Sequence, residues 1–430
     1  MRILVDHGAY ENLGDSAMLE GAVSRLTNIL PDAEIFVIAH ARLKSRVWDF
    51  PKVFKQTEYD VKLFWENLFS AMPFFWRFND YWQRITYKLT LNSIGMFASA
   101  VSMPLSNRAG NKNGKINFGK FCEPFDALHI AGGGFFADFF YGEVLNKCGL
   151  IHAFSEQGKP VILTGQQLGP FRSHIAKKAM LKALNRVNFI GLRDPFDSLK
   201  FCKESHLSSE RFDIMGDDSL GLPPPPDDEI NKILSKYNLR TNQFIALNFR
   251  KARYVLENDN HLKNFAHIVD ELAKKYKMPF LIVPVALNPA DSDVKTGEKI
   301  ADIVKVAKVL VLNKDGLTPA SVKGLLGKAY GAVGVSHHFC TFSLSQGVPA
   351  VCLYDGDYYS QKARGVCGFW QDDRFALSLK DIDTDYAVNH ILQVFGDENL
   401  RGKLSLLTRD AIKQWRAIFD KQVRKAFRSY

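Results

Sequence analysis

Short apolar runs alternate along the chain with stretches in which apolar residues return at helical spacing. RILVD (2–6) and AEIFVIAH (33–40) are β-rich runs, and DSAMLEGAVSRLTNIL (15–30) between them carries a helical stripe. ALHIAGGG (127–134), PVILTGQQ (160–167) and NFIGLRD (188–194) follow, each ending in glycine or polar residues and leading into a helical pattern. The alternation resumes in FIALNFR (244–250), PFLIVPV (279–285), VAKVLVLN (306–313), AYGAVGVS (329–336) and VPAVCLYD (348–355). Strand, loop and helix in repetition predict parallel sheets covered on both faces, because parallel strands need a crossover and a helix supplies it.

Between the two series stands PPPPDD (223–228). Proline has no backbone donor and cannot continue a central strand or a helix, so the stretch predicts a polyproline-like linker. It divides the chain into two doubly wound α/β domains, 1–225 and 229–395, expected to face each other across a cleft. Ligands of such folds sit beyond the carboxyl ends of the strands. The segment from about 43 to 120 departs from the pattern. VKLFWENLFSAMPFFWRFNDYWQRITYKL (61–89) crowds aromatics at helical spacing and SNRAGNKNGKINFGK (106–120) is polar and glycine-rich, which predicts a helical insertion followed by a loop. At the end, RDAIKQWRAIFDKQVRKAFRSY (409–430) puts Ile412, Trp415, Phe419, Val423 and Phe427 on one stripe. A helix within 396–430 packing back on the body is expected, with a solvated basic face; a membrane-surface helix is the second reading.

A chain of 430 residues is too long for one ordinary core, which agrees with two domains. Hydrophobic residues at 46% and charged residues at 24% exclude a disordered or fibrous class. The net charge of +10 points to an anionic partner: phosphorylated metabolite, nucleic acid or acidic membrane. MRILVDHGAY has no apolar stretch after a basic lead, and LTLNSIGMFASAVSMPLSN (89–107) is broken by Asn92 and Ser93, so neither a secretory signal nor a membrane span is expected and the protein reads as cytoplasmic. The six cysteines form no CxxC pair and predict buried thiols, not disulfides or a zinc site.

Candidate chemistry gathers at the strand ends. In GAYENLGDSAML (8–19), Gly8 and Gly14 are expected to adopt positive φ and let a ligand approach; Asn12 shares the turn, and Asp15 or Ser16 is placed to cap the helix whose free N–H groups favour an anion. The spacing is not GxGxxG, so no dinucleotide fingerprint is read here. Gly132, Gly133 and Gly134 directly after a strand predict exposed amides for phosphate or carboxylate oxygens, and Gln166 ends the next strand. Arg193, beside Asp194, is an anion clamp or half of a structural salt bridge. In GAVGVSHHFCTFSLSQGVP (331–349) a strand to Val335 and a helix capped by Ser336 and running to Gly347 would bring His337 and His338 to the cleft, where the helix dipole disfavours imidazolium. No third ligand lies at suitable spacing, so no metal is expected. Lys362, after the following strand, is a second cation or a solvated surface lysine.

GAYENLGDSAML, HIAGGGFFADFF, GQQLGPF, LRDPFDSL, GDDSLGL and SHHFCTFSLSQGVPAVCLYDGDYYSQK, in this order, resemble the polysaccharide pyruvyl transferase family from the first strand to about residue 365, leaving out the aromatic insertion. The resemblance implies two facing Rossmann-like domains, as in GT-B glycosyltransferases. It also implies transfer of a pyruvyl group from phosphoenolpyruvate to two hydroxyls of a sugar, as a ketal, on a cell-envelope glycan or its precursor. By position the family's histidine falls on His338, its lysine on Lys362 and its Arg–Asp pair on Arg193 and Asp194. Ser336 stands where many members carry Arg, so Arg193, Arg250 or Lys362 would have to hold the donor's charge. The chemistry calls for a general acid, assigned to His338, and a carboxylate base, Asp15 or Asp217. Phosphoenolpyruvate is then a donor substrate and no cofactor is implied. The acceptor would be a glycan, lipid-linked ones included, with peripheral contact at the inner membrane face. The alternatives are a GT-B glycosyltransferase with a nucleotide-sugar donor and a non-catalytic glycan- or nucleic-acid-binding protein; no nucleic-acid-binding motif supports the last.

Overall fold

The computed structural model describes residues 1–8, 12–38, 54–57, 122–172, 174–250, 259–287, 292–380 and 382–427. The aromatic run 61–89 and the glycine-rich loop after it lie outside them. The first sheet holds β1 (Arg2–Asp6), β2 (Glu34–Ile38), β3 (Phe54–Thr57), β4 (Ala127–Ile130), β5 (Gly133–Phe136), β6 (Val161–Leu168), β7 (Phe189–Leu192) and β8 (Phe212–Ile214). Its order is β3-β2-β1-β4-β6-β7-β8, with β5 paired to β6, and every pairing is parallel. Among the described residues the crossover helices of this sheet are α1 (Leu13–Ile29), α2 (Tyr141–Glu156), α3 (His174–Leu184) and α4 (Asp197–Glu204). β1 and β4 are neighbours whose chains leave the sheet in opposite directions, the switch point at which a parallel sheet opens a crevice.

After the four prolines, α5 (Asp227–Lys236) leads into β9 (Ile245–Asn248), α6 (Asp259–Tyr276), β10 (Phe280–Ile282), α7 (Asp293–Ile303), β11 (Val309–Val311) and α8 (Pro319–Leu326). Then come β12 (Gly331–Gly334), α9 (His337–Leu344), β13 (Ala350–Tyr354), α10 (Gly356–Trp370), β14 (Ala376–Ser378), α11 (Thr384–Phe395) and α12 (Leu400–Phe427). The second sheet, also parallel, runs β11-β10-β9-β12-β13-β14. α9 ends at Leu344, a few residues short of the glycine expected to stop it, and the strand before it ends at Gly334.

The two halves share a core. One apolar cluster runs without a break from Ile3, Val5 and Leu26 into the second sheet's Ile245, Val333 and Val351, while a second cluster covers the other face of the first sheet. α12 ties the halves from outside. Near its start Arg401 donates to the carbonyls of Ala329 and Tyr330; farther along, Trp415 Nε1 donates to Asp218 at 2.9 Å, and Asp420 pairs with Arg25 of α1. Trp415, Phe419, Val423 and Phe427 are buried, as the stripe predicts, whereas Ile412 is only partly so. All six cysteines are buried free thiols. No helix among the described residues is long and apolar enough to cross a membrane.

A buried ion pair anchors β1. Lys147 of α2 reaches Asp6 at 2.7 Å and the carbonyl of His7 at 2.8 Å, with its side chain 1% exposed. Removing one partner of such a pair strands the other charge in the core, which costs about 3–5 kcal/mol. Lys147→Met is expected to lower the unfolding free energy by that amount in urea titration, and adding Asp6→Asn should recover part of the loss.

Candidate active site

The N-terminus of α1 joins the two domains through the main chain. Asn12, not Asp15 or Ser16, is the N-cap; its side chain accepts from Gly14 N at 3.0 Å, because an amide oxygen one step before the first turn reaches an otherwise orphan donor. The same residue forms an antiparallel bridge with Ala286, and Leu13 N donates to the carbonyl of Val285 at 2.9 Å. Neither Gly8 nor Gly14 has positive φ. Gly14 is needed for space: a Cβ there would lie 2.0 Å from His338 Nδ1. At Gly8 a Cβ would meet the Asp15 carboxylate at 2.8 Å.

Asp217 is the hub. Its Oδ2 lies 3.0 Å from Arg193 Nη1, 3.4 Å from His338 Nε2 and 3.7 Å from His337 Nε2, while Oδ1 accepts from Ser219 N at 2.9 Å. All four side chains are buried. Burial alone would raise the Asp217 carboxyl, but the His338 charge, the two imidazoles beside it and the Arg193 guanidinium hold it well below the usual carboxylate range. Burial, with Arg193 next in size, pushes His337 well below the usual imidazole value, against the pull of Asp217, so His337 is neutral. His338 Nε2 is near Asp217 yet not aligned for a hydrogen bond, leaving a buried nitrogen without a partner. Arg193 Nε and Gln167 Nε2 are buried and unpartnered too, although Arg193 Nη2 donates to Gln167 Oε1 at 3.0 Å. Unmet donors gathered in one spot suit an anion.

The fold supplies the third metal-ligand candidate that sequence spacing lacks: Asp217, His337 and His338 offer ligand atoms within 4.8 Å of one another. Arg193, however, sets a fixed positive charge on the same Asp217 oxygen, which opposes a cation there.

Lys362 enters from α10. Its Nζ lies 4.2 Å from the centre of the Tyr358 ring, whose hydroxyl donates to Gly134 O at 2.9 Å. A Cβ on Gly134 would sit 3.0 Å from Arg193 Nη2 and 3.2 Å from Lys362 Cε, so the glycine gives these two cations room. Burial lowers the Lys362 ammonium to about 7, Arg193 and Arg250 add repulsion, and Asp15 opposes them.

Other expected ligand groups have structural duties. Gly132 N is spent on Asp218 Oδ2 at 2.9 Å, and Gly133 and Gly134 begin β5, so the triplet is a strand entry and not an open amide cradle. Gln166 donates to the carbonyls of Ile130, Ala131 and Thr164 and is wholly buried. Ser336 takes the N-cap position of α9 without a side-chain bond; its N–H donates to Asn248 Oδ1 at 3.2 Å. Arg250 pairs with Asp293 at 3.0 Å, and Asp293 also accepts from Val285 N and Ala286 N, so this pair shapes the turn that meets α1. Asp194 turns away from Arg193 and caps α4 through the N–H groups of Phe196, Asp197 and Ser198.

Sequence reasoning noted Gln167 beside Gln166 without a role of its own and assigned none to Tyr358 or Asp218. Asp218 accepts from Gly132 N, Thr164 Oγ1 and Trp415 Nε1, and burial raises its carboxyl to about 7 against the last two of these side-chain bonds. Lys323 of α8 holds the same loop, donating at 2.7 Å to the carbonyls of Ser219 and Leu222. The sequence signals were the strings themselves: GDDSLGL for Asp218, GQQLGPF for Gln167 and YDGDYYSQK for Tyr358.

The sequence profile of one family, polysaccharide pyruvyl transferase, matches residues 12–357 and so spans every element of this site up to the start of α10. The chain belongs to the polysaccharide pyruvyl transferase family. No curated protein matches it in sequence. Among solved structures, the UDP-GlcNAc 2-epimerase of Neisseria meningitidis, bound to UDP-GlcNAc, superposes with a TM-score of 0.58 at 14% identity over 99% of this chain and 100% of that one. The UDP-GlcNAc 2-epimerase of Methanocaldococcus jannaschii gives 0.56 at 10% identity, covering 93% and 94%. UGT89C1 of Arabidopsis thaliana, complexed with UDP-L-rhamnose, gives 0.55 at 13%, covering 98% of each. At these identities the likeness is one of fold: this family member has the GT-B architecture.

Gly14→Ala tests the joint. The added methyl must push the His338 ring aside, and a displacement of about 1 Å in a catalytic group can cost on the order of 10²-fold. The variant is expected to fold, by circular dichroism and thermal melting, while its transferase turnover drops by about that factor.

Proposed function

We propose that the protein transfers the pyruvyl group of phosphoenolpyruvate to two hydroxyls of a sugar in an envelope glycan or its precursor, releasing phosphate and leaving a cyclic ketal. The observation that carries this reading is the pairing of Arg193 with the ionised Asp217, with His338 beside that carboxylate and Lys362 beside Arg193 at Gly134, in a member of this family. A donor with one phosphate and one carboxylate needs cations and hydrogen-bond donors; Lys362 and Arg193 supply the charge, and Arg193 Nε and the Gln167 amide supply unmet donors. They stand in for the arginine that Ser336 replaces.

In this scheme His338 protonates the methylene carbon of the donor, and positive charge develops at C2. The first sugar hydroxyl attacks C2 and gives its proton to a carboxylate. The C2–O bond to phosphate then breaks, the second hydroxyl closes the ring, and its proton leaves with the phosphate. Asp217 is 4% exposed and its oxygens already face Arg193, the histidines and Ser219, so it serves His338 as charge partner. Asp15, partly exposed and close enough to Lys362 to act on its charge, is the carboxylate for the acceptor hydroxyl.

Incubation with phosphoenolpyruvate and candidate glycans, followed by mass analysis, should reveal added pyruvate with stoichiometric phosphate. Thermal stabilisation by uridine diphosphate sugars and none by phosphoenolpyruvate would instead make it a nucleotide-sugar enzyme, the ligand class bound in the epimerase and UGT89C1 structures. General acid–base catalysis contributes about 10²–10⁴-fold, so His338→Ala is expected to lower turnover by that factor with an unchanged melting temperature. Lys362 offers a pH test. Its proton is held below about pH 7 and lost above it, and a phosphate binds the charged form. Donor affinity should therefore be greatest below that value and weaken by up to about tenfold per pH unit above it. Calorimetric titration from neutral to alkaline pH measures the slope; Lys362→Met should bind weakly and show none.

A further inference from the structure

α12 carries a property that the reaction does not use. It holds eight basic and two acidic residues, a net of +6 out of the whole chain's +10. Arg401 is bound to carbonyls and one of the acids, Asp420, is neutralised by Arg25. Arg409, Lys413, Arg416, Lys421, Arg424 and Lys425 are all exposed, and Asp410 is the one acid of this helix left outside an ion pair. At 1.5 Å per residue the helix extends for about 40 Å, so the charge is spread along it, with a shallow open hollow between Thr408, Arg409, Ile412, Lys413 and Arg416. Within it stands Leu406, one of the few large apolar side chains exposed among the described residues, at 54%. Leu406, Arg409 and Lys413 follow one another at helical spacing on the outward side, opposite the buried Leu404, Trp415 and Phe419.

We propose that the outward face of α12 is a docking surface for an anionic phospholipid bilayer. A long, exposed set of spaced cations matches a plane of monovalent headgroups, each Lys or Arg adding to the attraction within a Debye length. A nucleic-acid duplex or an acidic glycan would satisfy the charge but offers nothing apolar to Leu406, whereas the boundary between headgroups and acyl chains does. Docked this way, the helix keeps its inner side on both domains, with Trp415 on Asp218 next to the hub of the site. The assignment stands on the charge and shape of the helix and does not require the pyruvyl reaction.

The test is co-sedimentation of the full-length protein with vesicles of phosphatidylcholine alone and of phosphatidylcholine with about 30 mol % phosphatidylglycerol at moderate salt. The protein should pellet with the anionic vesicles only, and added salt should release it. Reversing three exposed charges, Arg409→Glu, Lys413→Glu and Arg416→Glu together, should weaken binding by at least roughly 100-fold with the melting temperature unchanged. If that triple variant melts early, Lys421→Gln with Arg424→Gln is the milder substitute and should weaken binding by roughly tenfold. Wild-type protein that stays in the supernatant, or a stably folded variant that pellets as well as wild type, overturns the proposal. So does equal capture by a random DNA duplex at the same ionic strength, which would make the face a general polyanion site.

Discussion

The separation between a histidine of one domain and a carboxylate of the other is set by a backbone joint a few residues away. The first turn of α1 donates from Leu13 N to Val285 O, and the His338 ring rests against Gly14 with no room for a methyl group. A hydrogen bond between main chains fixes distance without depending on a flexible side chain, and a glycine at van der Waals contact fixes it from the other direction. Asp293 reinforces the joint by accepting from Val285 N, Ala286 N, Asn248 and Arg250 together. A carboxylate satisfied by so many donors holds the turn more firmly than a neutral acceptor could, since charge-assisted bonds are roughly twice as strong. The contact between Asp217 and His338 is a consequence of this joint.

Charge in the site divides into cations that are paired and one that burial has weakened. Arg193 meets Asp217 and Arg250 meets Asp293, each at 3.0 Å. Lys362 has an aromatic face below it and two guanidiniums near, with Asp15 the main opposition, and desolvation wins. Such an ammonium gains more from an incoming anion than a solvated one does, because the anion removes a penalty already present. The weakness of Lys362 in the free protein is therefore the source of its usefulness to a ligand. Asp217 shows the reverse balance: its burial is more complete, yet Arg193 and the two imidazoles keep it ionised.

The sheet pattern was legible because each strand–helix alternation is local, and the two series around PPPPDD correspond to two parallel sheets. His338, Arg193 and Lys362 were legible as residues at strand ends, where this class of fold collects its ligands. Their partners were not. Nothing in the spacing of Arg193 and Asp194 says that the neighbouring carboxylate turns to cap α4 while Asp217 takes the guanidinium. The glycine triplet suggested open amides, yet the demand of a buried Asp218 for donors takes the first one. Gln166 illustrates the same competition, since three main-chain carbonyls at the end of the first sheet need its amide more than a ligand would. Asn12 took the cap from Asp15 because the helix begins two residues earlier than its charge pattern suggests.

α10 and the loop 217–222 make the site a joint product of both domains. Along α10, Tyr358 reaches Gly134, Gln361 reaches Leu168 O and Asp194, and Arg364 reaches Asp197, so the helix that carries Lys362 is pinned to the first domain at successive turns. The loop is held in the opposite sense, by Lys323 from the second domain and Trp415 from α12. Neither domain alone could present Lys362, His338 and Asp217 to one small anion. Any motion that parted them would separate acid, cation and charge partner at once. A site assembled this way excludes water best when its halves are together, and the low dielectric that results is what gives the few charges inside it their strength.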